Sequence, residues 1–521
     1  MIKFRFSFHL LAFLFLSCNA DVKIIKSGSK PNIIYILADD LGYGDLGVYG
    51  QEKIETPNLD ELARNGMIFT QHYTGAPVCA PARYMLLTGK HAGHSYIRGN
   101  DEWRERGNVW DYREMIIDST LEGQRPIPQN TILFPQLFQK EGYTTGMIGK
   151  WGLGAPHTNS IPTKMGFDFF FGYNCQRQAH TYYPVHLYKN ENRVHLNNDT
   201  IPPNTKLAKG ADPYDPKSYS KFMLNEYAPE LMFKEMISFV SENKQNPFFL
   251  YWASPIPHNA LQAPQNWIDF YKEKFGEEEP YLGQNGYFPH QNPRAAYAAM
   301  ISYLDENIGK LIKYLKDENL YDNTIILFSS DNGVTYSGGT DGEYFNSSGI
   351  FGESFGRGKG FVYEGGIRVP MIVTWNKKIK PGSITNHISA QYDVMATLLE
   401  LINYRNIPET DGISFLQTLL DKKEQSVHNF LYWEFPEYGG QIAIRMGDWK
   451  VIRRNLKQSG ENHTLELYNL TVDPEELNNV ATDHPHILDT ASDIYDNEHI
   501  KSEIEEFRIN SIENGLLSSQ Q

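Results

Sequence analysis

Cysteine is scarce in this chain: three residues in 521, at positions 18, 79 and 175. So sparse a set cannot be a disulfide scaffold, and a chain of this length must rest on its hydrophobic core. Positive charge is also in the minority. The 48 Lys and Arg are outnumbered by 63 Asp and Glu, which leaves a net charge of −15. That balance argues against nonspecific nucleic-acid binding. It leaves room for an anionic substrate, because a local basic pocket can sit inside an acidic protein. Beyond the first twenty residues no run is apolar enough to span a bilayer. Internal repeats and low-complexity linkers are absent. Apolar residues at 40% and charged residues at 21% give a globular composition, not a disordered one. The length suffices for one large domain and a smaller one.

The N-terminus carries Lys3 and Arg5 ahead of an apolar stretch from Phe6 to Leu16, followed by Ser17 and Cys18. This pattern predicts a secretory signal peptide over residues 1–18, too short for a comfortable bilayer span. Leu16-Ser17-Cys18 is also similar to a bacterial lipoprotein box, in which Cys18 would carry a lipid anchor. The expectation is an exported protein, periplasmic or an outer-membrane lipoprotein of a Gram-negative bacterium. Cys18 is then cleaved off or lipidated, and Cys79 and Cys175 remain. They could form one bridge; if Cys79 is used chemically, Cys175 is a buried free thiol.

From residue 31 the chain alternates. "PNIIYILADDLG" (31–42) reads as a buried parallel strand that stops at two aspartates. "TPNLDELARNG" (56–66) reads as a helix with Thr56 as N-cap and Pro57 in first position. Three further helix-then-strand units end at Lys150, near Ser254 and at Asp331-Asn332. "NHISAQYDVMATLLELI" (386–402) reads as one more helix. The pattern predicts an α/β domain over 30–424, a large doubly wound mixed sheet flanked by helices. Short strands after residue 425 predict a small antiparallel sheet with a helical tail, a C-terminal α+β subdomain over 425–521. Residues 185–225 and 270–295 are rich in Asn, Pro, Tyr and Lys and read as long surface loops.

In a doubly wound sheet, ligands collect beyond the carboxyl ends of the strands. Asp39-Asp40 and Asp331-Asn332 both stand at such ends, which places them together although far apart in sequence. Their oxygens suit a hard cation. Taken singly, each pair could equally be a helix N-cap or a solvated loop. Lys150 ("MIGKWG"), Arg83 ("APARY") and Lys359 ("RGKGFVYEGG") sit where backbone and cation can approach an anion closely. His258 follows an apolar strand in "SPIPHNALQAP". Cys79 opens "CAPAR", a Cys-x-Pro-x-Arg unit that continues as "LLTGK".

The set, in this order and over nearly the whole chain from about residue 30, resembles the type I sulfatases of the alkaline phosphatase superfamily. The resemblance implies an alkaline-phosphatase-like fold and a sulfuric ester hydrolase. It implies that a formylglycine-generating enzyme oxidises Cys79 to formylglycine, reading Pro81 and Arg83. Hydrated formylglycine would attack sulfur in line; its second hydroxyl would then expel sulfate as the aldehyde reforms. It further implies that Asp39, Asp40, Asp331, Asn332 and modified Cys79 hold Ca²⁺. Arg83 would steady the formylglycine, Lys150 and Lys359 would contact sulfate, and His258 with Lys359 would serve the leaving oxygen.

One position departs from the family. Where Lys-Trp-His-Leu-Gly is frequent, this chain has "KWGLG", with Gly152 in place of a histidine. His157, five residues on, and His91 or His94 after Cys79 are candidates to replace that base. Two segments, 91–100 and 172–187, are dense in groups that hydrogen-bond or stack on sugars. They nominate His91, His94, Arg98, Asn100, Arg177 and His180 for substrate binding. The expected substrate is a sulfated glycan fragment, with galactose or N-acetylgalactosamine 4-sulfate foremost. A phosphatase or phosphodiesterase on the same fold would need a Thr or Ser nucleophile and two metals. A catalytically silent glycan-binding protein is suggested only by Gly152.

If Cys79 is formylglycine, mass spectrometry of the tryptic peptide containing it shows a loss of about 18 Da relative to cysteine, thiol to aldehyde. Full activity in protein whose residue 79 is wholly unmodified would refute the mechanism.

Overall fold

The computed structural model describes residues 30–352, 354–458 and 463–513. The expected signal segment, residues 1–18, lies outside the described residues. The chain from Pro31 onward forms one compact unit. Eleven strands make the main sheet. In chain order they are β1 (Asn32–Ala38), β2 (Met67–Tyr73), β3 (Thr144–Lys150), β4 (Phe169–Tyr173), β5 (His186–Lys189) and β6 (Asn192–His195). β7 (Phe248–Ala253), β8 (Thr324–Ser330), β9 (Arg368–Trp375), β10 (Ser383–Thr385) and β11 (Ser389–Ala390) complete it. The spatial order is β10-β2-β9-β8-β1-β7-β3-β4-β5-β6, with β11 also against β2. β8, β1, β7, β3 and β4 run parallel, while β9 is antiparallel to both β8 and β2. This is the mixed doubly wound sheet that the alternation predicts.

The strands of the parallel block are apolar because both faces are covered. β1 shows how. Ile34, Ile36 and Ala38 join one core with the helices Pro57–Arg64, Ala228–Asn243 and Pro293–Asp317. Ile33, Tyr35 and Leu37 point the other way. They meet the helices Cys79–Thr88, Phe134–Lys140 and Asp393–Leu401. The period of two thus divides one strand between two cores. Because β8, β1, β7 and β3 are parallel neighbours, their carboxyl ends lie along one edge. Ser330, Ala38, Ala253 and Lys150 close those strands. The predicted site residues Asp331, Asp39, His258 and Lys150 are at or just beyond them.

A second sheet, β12 (Leu431–Phe435), β13 (Gln441–Met446), β14 (Trp449–Arg454) and β15 (Thr464–Asn469), is antiparallel throughout. One face packs Tyr432, Ile442 and Val451 with Ala82 and Met85 of the Cys79–Thr88 helix and with Ile487, Ala491 and Tyr495 of the helix Pro485–Glu498. The other packs Trp433, Ala443 and Ile452 against Tyr73, Val78 and Tyr363. The Cys79 helix is therefore held between two sheets.

Local details differ from the sequence reading in four places. Part of the expected loop 185–225 is the hairpin β5–β6, turned at Asn190 in the left-handed region (φ 55°). Asparagine tolerates that conformation, so the pair adds to the sheet edge. Likewise, the expected loop 270–295 is bounded by the helices Gln265–Phe275 and Pro293–Asp317. The helix expected over 386–402 spans only Asp393–Leu401. The Asp393 carboxylate accepts from the Ala390 N–H at 2.7 Å, and Ser389–Ala390 pair with β2 instead.

The helix Pro57–Arg64 begins after Thr56, as predicted, but Thr56 makes no side-chain cap. The hydroxyl instead accepts from the Gly47 N–H. The cap comes from Asp305, whose carboxylate accepts from the Leu59 N–H at 2.7 Å and the Asn58 N–H at 3.2 Å. Two of the orphan donors of one helix are thus satisfied by another. Asp305→Ala is expected to cost about 1–3 kcal/mol in denaturant unfolding, because it strands two N–H groups. Thr56→Ala should cost less. An equal loss for both would refute the assignment of the cap to Asp305.

Candidate active site

Cys79 is the first residue of the helix Cys79–Thr88. The Cys-x-Pro-x-Arg spacing then has a direct reading. Pro81 falls in the first turn, where an N–H would have no partner within the helix. The Ala80 N–H is taken by Asn100 Oδ1 at 3.3 Å. Arg83 lies four residues on, one turn below Cys79 on the same face. It reaches Asp331 with both Nε (3.1 Å) and Nη2 (2.8 Å), and the Lys150 carbonyl with Nη1 (3.1 Å).

The acids converge as the strand ends predict. The Asp40 N–H donates to Asp331 Oδ1 at 3.1 Å, and Asn332 Nδ2 donates to Asp40 Oδ1 at 2.8 Å. Asp40 sits in the left-handed region (φ 67°), which turns its side chain back onto the same point as that of Asp39. Lys150 Nζ donates to Asp39 at 2.7 Å, and Lys359 Nζ to Asp40 at 2.8 Å. Cys79 Sγ is 3.2 Å from Asp39 Oδ1 and 3.5 Å from Lys359 Nζ. All the predicted metal ligands and all the predicted catalytic residues but His258 are joined by these contacts. His258 Nε2 lies 3.8 Å from Asp40 Oδ2 and completes the set.

The electrostatics follow from burial. Burial alone would raise Asp39, but the charges of Lys150, Arg83 and Lys359 hold it well below the usual carboxylate range. Asp331 is raised to about 7, by burial and by the charge of Asp39. Burial and Asp39 push the Cys79 thiol far up. An unmodified Cys79 is therefore a neutral thiol and a poor nucleophile. Burial, with Lys359 and Lys150, holds His258 well below its ordinary value. The ring is neutral. Its Nδ1 faces the Asn259 carbonyl at 2.5 Å. A carbonyl only accepts, so Nδ1 carries the hydrogen and Nε2 presents a lone pair. Lys359, raised well above its usual value chiefly by Asp40 against the opposing effect of burial, is the standing proton donor.

The site fits a divalent cation. Ligand atoms of Asp39, Asp40, Cys79 and His258 all lie within 4.8 Å of one another. Among the described residues, buried Asn332 Oδ1 has no hydrogen-bond partner, as a free ligand oxygen would require. Carboxylates and an amide oxygen suit a hard cation. With all groups ionised, Asp39, Asp40 and Asp331 balance Arg83, Lys150 and Lys359, so a divalent cation would leave the site positive toward an anionic substrate.

Cys79, Lys359 and His258 line a cleft of about 250 Å³. Asn100, Arg177 and His180, nominated from sequence, line it too. The His180 ring stacks on His258 with centroids 5.2 Å apart. Arg177 is ion-paired with Glu102 and lies 5.7 Å from the Trp110 ring. His91, His94 and Arg98 are a correction: they do not line the cleft. His91 and His94 stack on each other and pair with Glu498 and Asp411. Arg98 spends its donors on Glu434 and on the Ser95 and Gly93 carbonyls. These three tie the loop after the Cys79 helix to the C-terminal region. His91, His94 and Asp411 could form a second metal-binding group, but it lies outside the cleft, so it does not supply the two-metal site of a phosphatase. His157, bonded to Ser119, is likewise absent from the cleft lining. Gln176, Tyr287, Trp110, Phe355 and Tyr438 line it and were not nominated. Gln176 is next to Arg177 in the segment 172–187; the aromatics carry no local motif. A larger cavity of about 660 Å³ among Val451, Leu465, Leu488 and Tyr495 contains none of the predicted site residues.

The fold and the charge cluster define a hydrolase of the alkaline-phosphatase type. A family model described as "Sulfatase" matches residues 31–404, and the chain belongs to the sulfatase family. A second, "N-sulphoglucosamine sulphohydrolase, C-terminal", matches residues 352–502. The N-acetylgalactosamine-6-sulfatase of Homo sapiens is 29% identical over 418 residues, 77% of this chain and 68% of that one. The N-acetylgalactosamine-6-O-sulfatase of Bacteroides thetaiotaomicron is 29% identical over 525 residues, 90% of this chain and 93% of that one. The crystal structure of Ps i-CgsB in complex with k-i-k-neocarrahexaose superposes with a TM-score of 0.69 at 25% identity. That match covers 94% of this chain and 97% of the other. The protein is a sulfuric ester hydrolase.

Stripping divalent cations should lower the apparent Tm by roughly 3 °C or more, and adding Ca²⁺ should restore it, since a ligand about a hundredfold above its Kd stabilises by about 3 kcal/mol. Activity should vanish and return in step. An unchanged Tm and turnover in thoroughly chelated protein would remove the cation from the site.

Proposed function

We propose that the protein hydrolyses sulfate esters of carbohydrates, with formylglycine at residue 79 as the nucleophile and Ca²⁺ in the acid cluster. The observation that carries this is the setting of Cys79. It is buried at a helix N-terminus, beside Asp39 and Lys359 and on the cleft. There the native thiol is held neutral, whereas a hydrated aldehyde would offer hydroxyls at the same point. The family's general use of formylglycine and Ca²⁺ supports the same reading.

Calcium, when bound, would supply Lewis acidity that favours the deprotonated hydroxyl and draws electron density from sulfate. The chain's own residues supply the rest. Lys150 and Lys359 contribute fixed positive charge for sulfate oxygens, and the helix N-terminus adds its partial charge. Arg83 fixes Asp331 and, through the Lys150 carbonyl, the end of β3. Lys359 is placed to polarise or protonate the leaving oxygen. His258 can share this role only once protonated; burial, with the charges of Lys359 and Lys150, now keeps it neutral, and an anionic ester beside it offsets the charges.

The rim supports a carbohydrate. Trp110 (64% exposed), Phe355 (84%) and Tyr438 (58%) line the cleft and face solvent. Exposed aromatic faces stack on sugar rings, and oligosaccharide binding by Ps i-CgsB is consistent with this. The names of the relatives favour a 6-O-sulfated N-acetylgalactosamine unit over the 4-O ester expected from sequence. The N-terminal segment supports an exported protein. A panel of defined 4-O- and 6-O-sulfated sugars tests the reading: release of sulfate from none of them, by protein modified at residue 79, would sink it.

His258→Ala should slow sugar sulfates about a hundredfold, and aryl sulfates much less, because a nitrophenolate leaves without a proton. Equal losses on both would show that His258 does not serve the leaving oxygen.

A further inference from the structure

Gln176 is a buried residue of the cleft wall, 6% exposed. Its Nε2 donates to Asn100 Oδ1 at 3.1 Å, the same oxygen that takes the Ala80 N–H next to Cys79. Asn100 is fixed in turn by Glu437, which accepts from its backbone N–H at 2.8 Å. The orientation of the Gln176 amide is therefore set: nitrogen toward Asn100, oxygen away. Among the described residues that oxygen, Oε1, has no hydrogen-bond partner. A buried amide oxygen without a donor costs about 1–3 kcal/mol, so a donor that arrives in the working state would be favoured there.

Gly152 explains how the oxygen keeps its place. It adopts a left-handed conformation (φ 70°), and a Cβ there would stand 2.9 Å from Gln176 Oε1. The glycine is the space that Gln176 occupies. Gln176 and Cys79 line the same cleft, and Asn100 joins the Gln176 amide to the Ala80 N–H beside residue 79.

We infer that Gln176 Oε1 accepts a hydrogen bond from one hydroxyl of the hydrated side chain at residue 79. This holds the diol in one rotamer and favours it over the free aldehyde. The inference rests on the formylglycine reading above. An amide oxygen is a good acceptor but too weak a base to take the proton, so Gln176 orients the hydroxyl and transfers nothing. The other candidate donor, a sugar hydroxyl or N–H, is an outcome of the test.

The test uses the full chain produced with the modifying enzyme. Conversion of residue 79 is measured by mass spectrometry in each preparation. Gln176→Ala and Gln176→Glu are compared with wild type. One readout needs no turnover: the rate at which an aminooxy probe labels the aldehyde in the native protein. Gln176→Ala should label severalfold faster, because less of residue 79 is hydrated. Its kcat should fall about tenfold to a hundredfold on sugar and aryl sulfates alike, with KM little changed. Gln176→Glu retains an acceptor oxygen. It should label at close to the wild-type rate and show a new acidic limb in its kcat profile as the carboxylate titrates. Unchanged labelling and kcat in Gln176→Ala, at full conversion, would overturn the inference and leave the formylglycine reading intact. A rise in KM confined to sugar substrates would assign Gln176 to the substrate instead. Active wild type with unmodified Cys79 would overturn both. If Gln176→Ala does not fold, Gln176→Glu decides by the presence or absence of the acidic limb.

Discussion

Three carboxylates in a dry interior require three cations or a metal, and this requirement organises the molecule. Asp39, Asp40 and Asp331 are all essentially inaccessible to water. Unpaired, each would be costly to ionise. Arg83 comes from a helix, Lys150 from a strand end and Lys359 from a loop, so the charge balance can close only when all three elements are in place. Arg83 is the centre of this arrangement. Its planar donor set reaches Asp331 with two nitrogens and a β3 carbonyl with the third, which a lysine could not do. Stability and chemistry are served by the same contacts.

The second sheet extends this constraint. A helix N-terminus is a poor place to hold a reactive group unless the helix itself is immobile. Leu86 and Leu87 of the Cys79 helix belong to one core of the large sheet, and Ala82 and Met85 to a core shared with the small sheet. The helix is buried on opposite sides. Gln441, on β13, donates to the Gly360 carbonyl, and the Gly360 N–H donates to Pro77. The loop that carries Lys359 is thereby tied both to the small sheet and to the segment entering the nucleophile helix. Even His91, His94 and Arg98, which do not line the cleft, belong to this bracing, since they join the segment after the helix to Asp411, Glu434 and Glu498.

Much of this was legible in the chain. β1, β3, β7 and β8 are apolar runs that stop at polar residues, and the periodicity alone placed Asp39, Lys150 and Asp331 at strand ends. What local pattern could not show was partnership. Thr56 looks like a helix cap but is used by Gly47, because Asp305 from a distant helix supplies a better acceptor. Ser389–Ala390 could continue a helix but pair with β2. His91 and His94 have the composition of a sugar-binding loop, yet their acids come from residues more than three hundred positions away. Gln176 lies in the segment 172–187 but carries no motif of its own; its amide oxygen, buried without a donor, is a property of the fold.

The sequence by itself determined the class of fold, the identity of the ionisable groups and the spacing of Cys79, Pro81 and Arg83. These depend on the periods of strand and helix and on residue chemistry, all of which are local. The tertiary structure decided which of those groups share a charge balance, which histidines face the cleft, and what fills the space at Gly152. Such matters turn on burial and on contacts between segments distant in sequence. A pKa, a hydrogen-bond tautomer or an orphaned oxygen is a property of an environment, and the environment exists only once the strands have lined up.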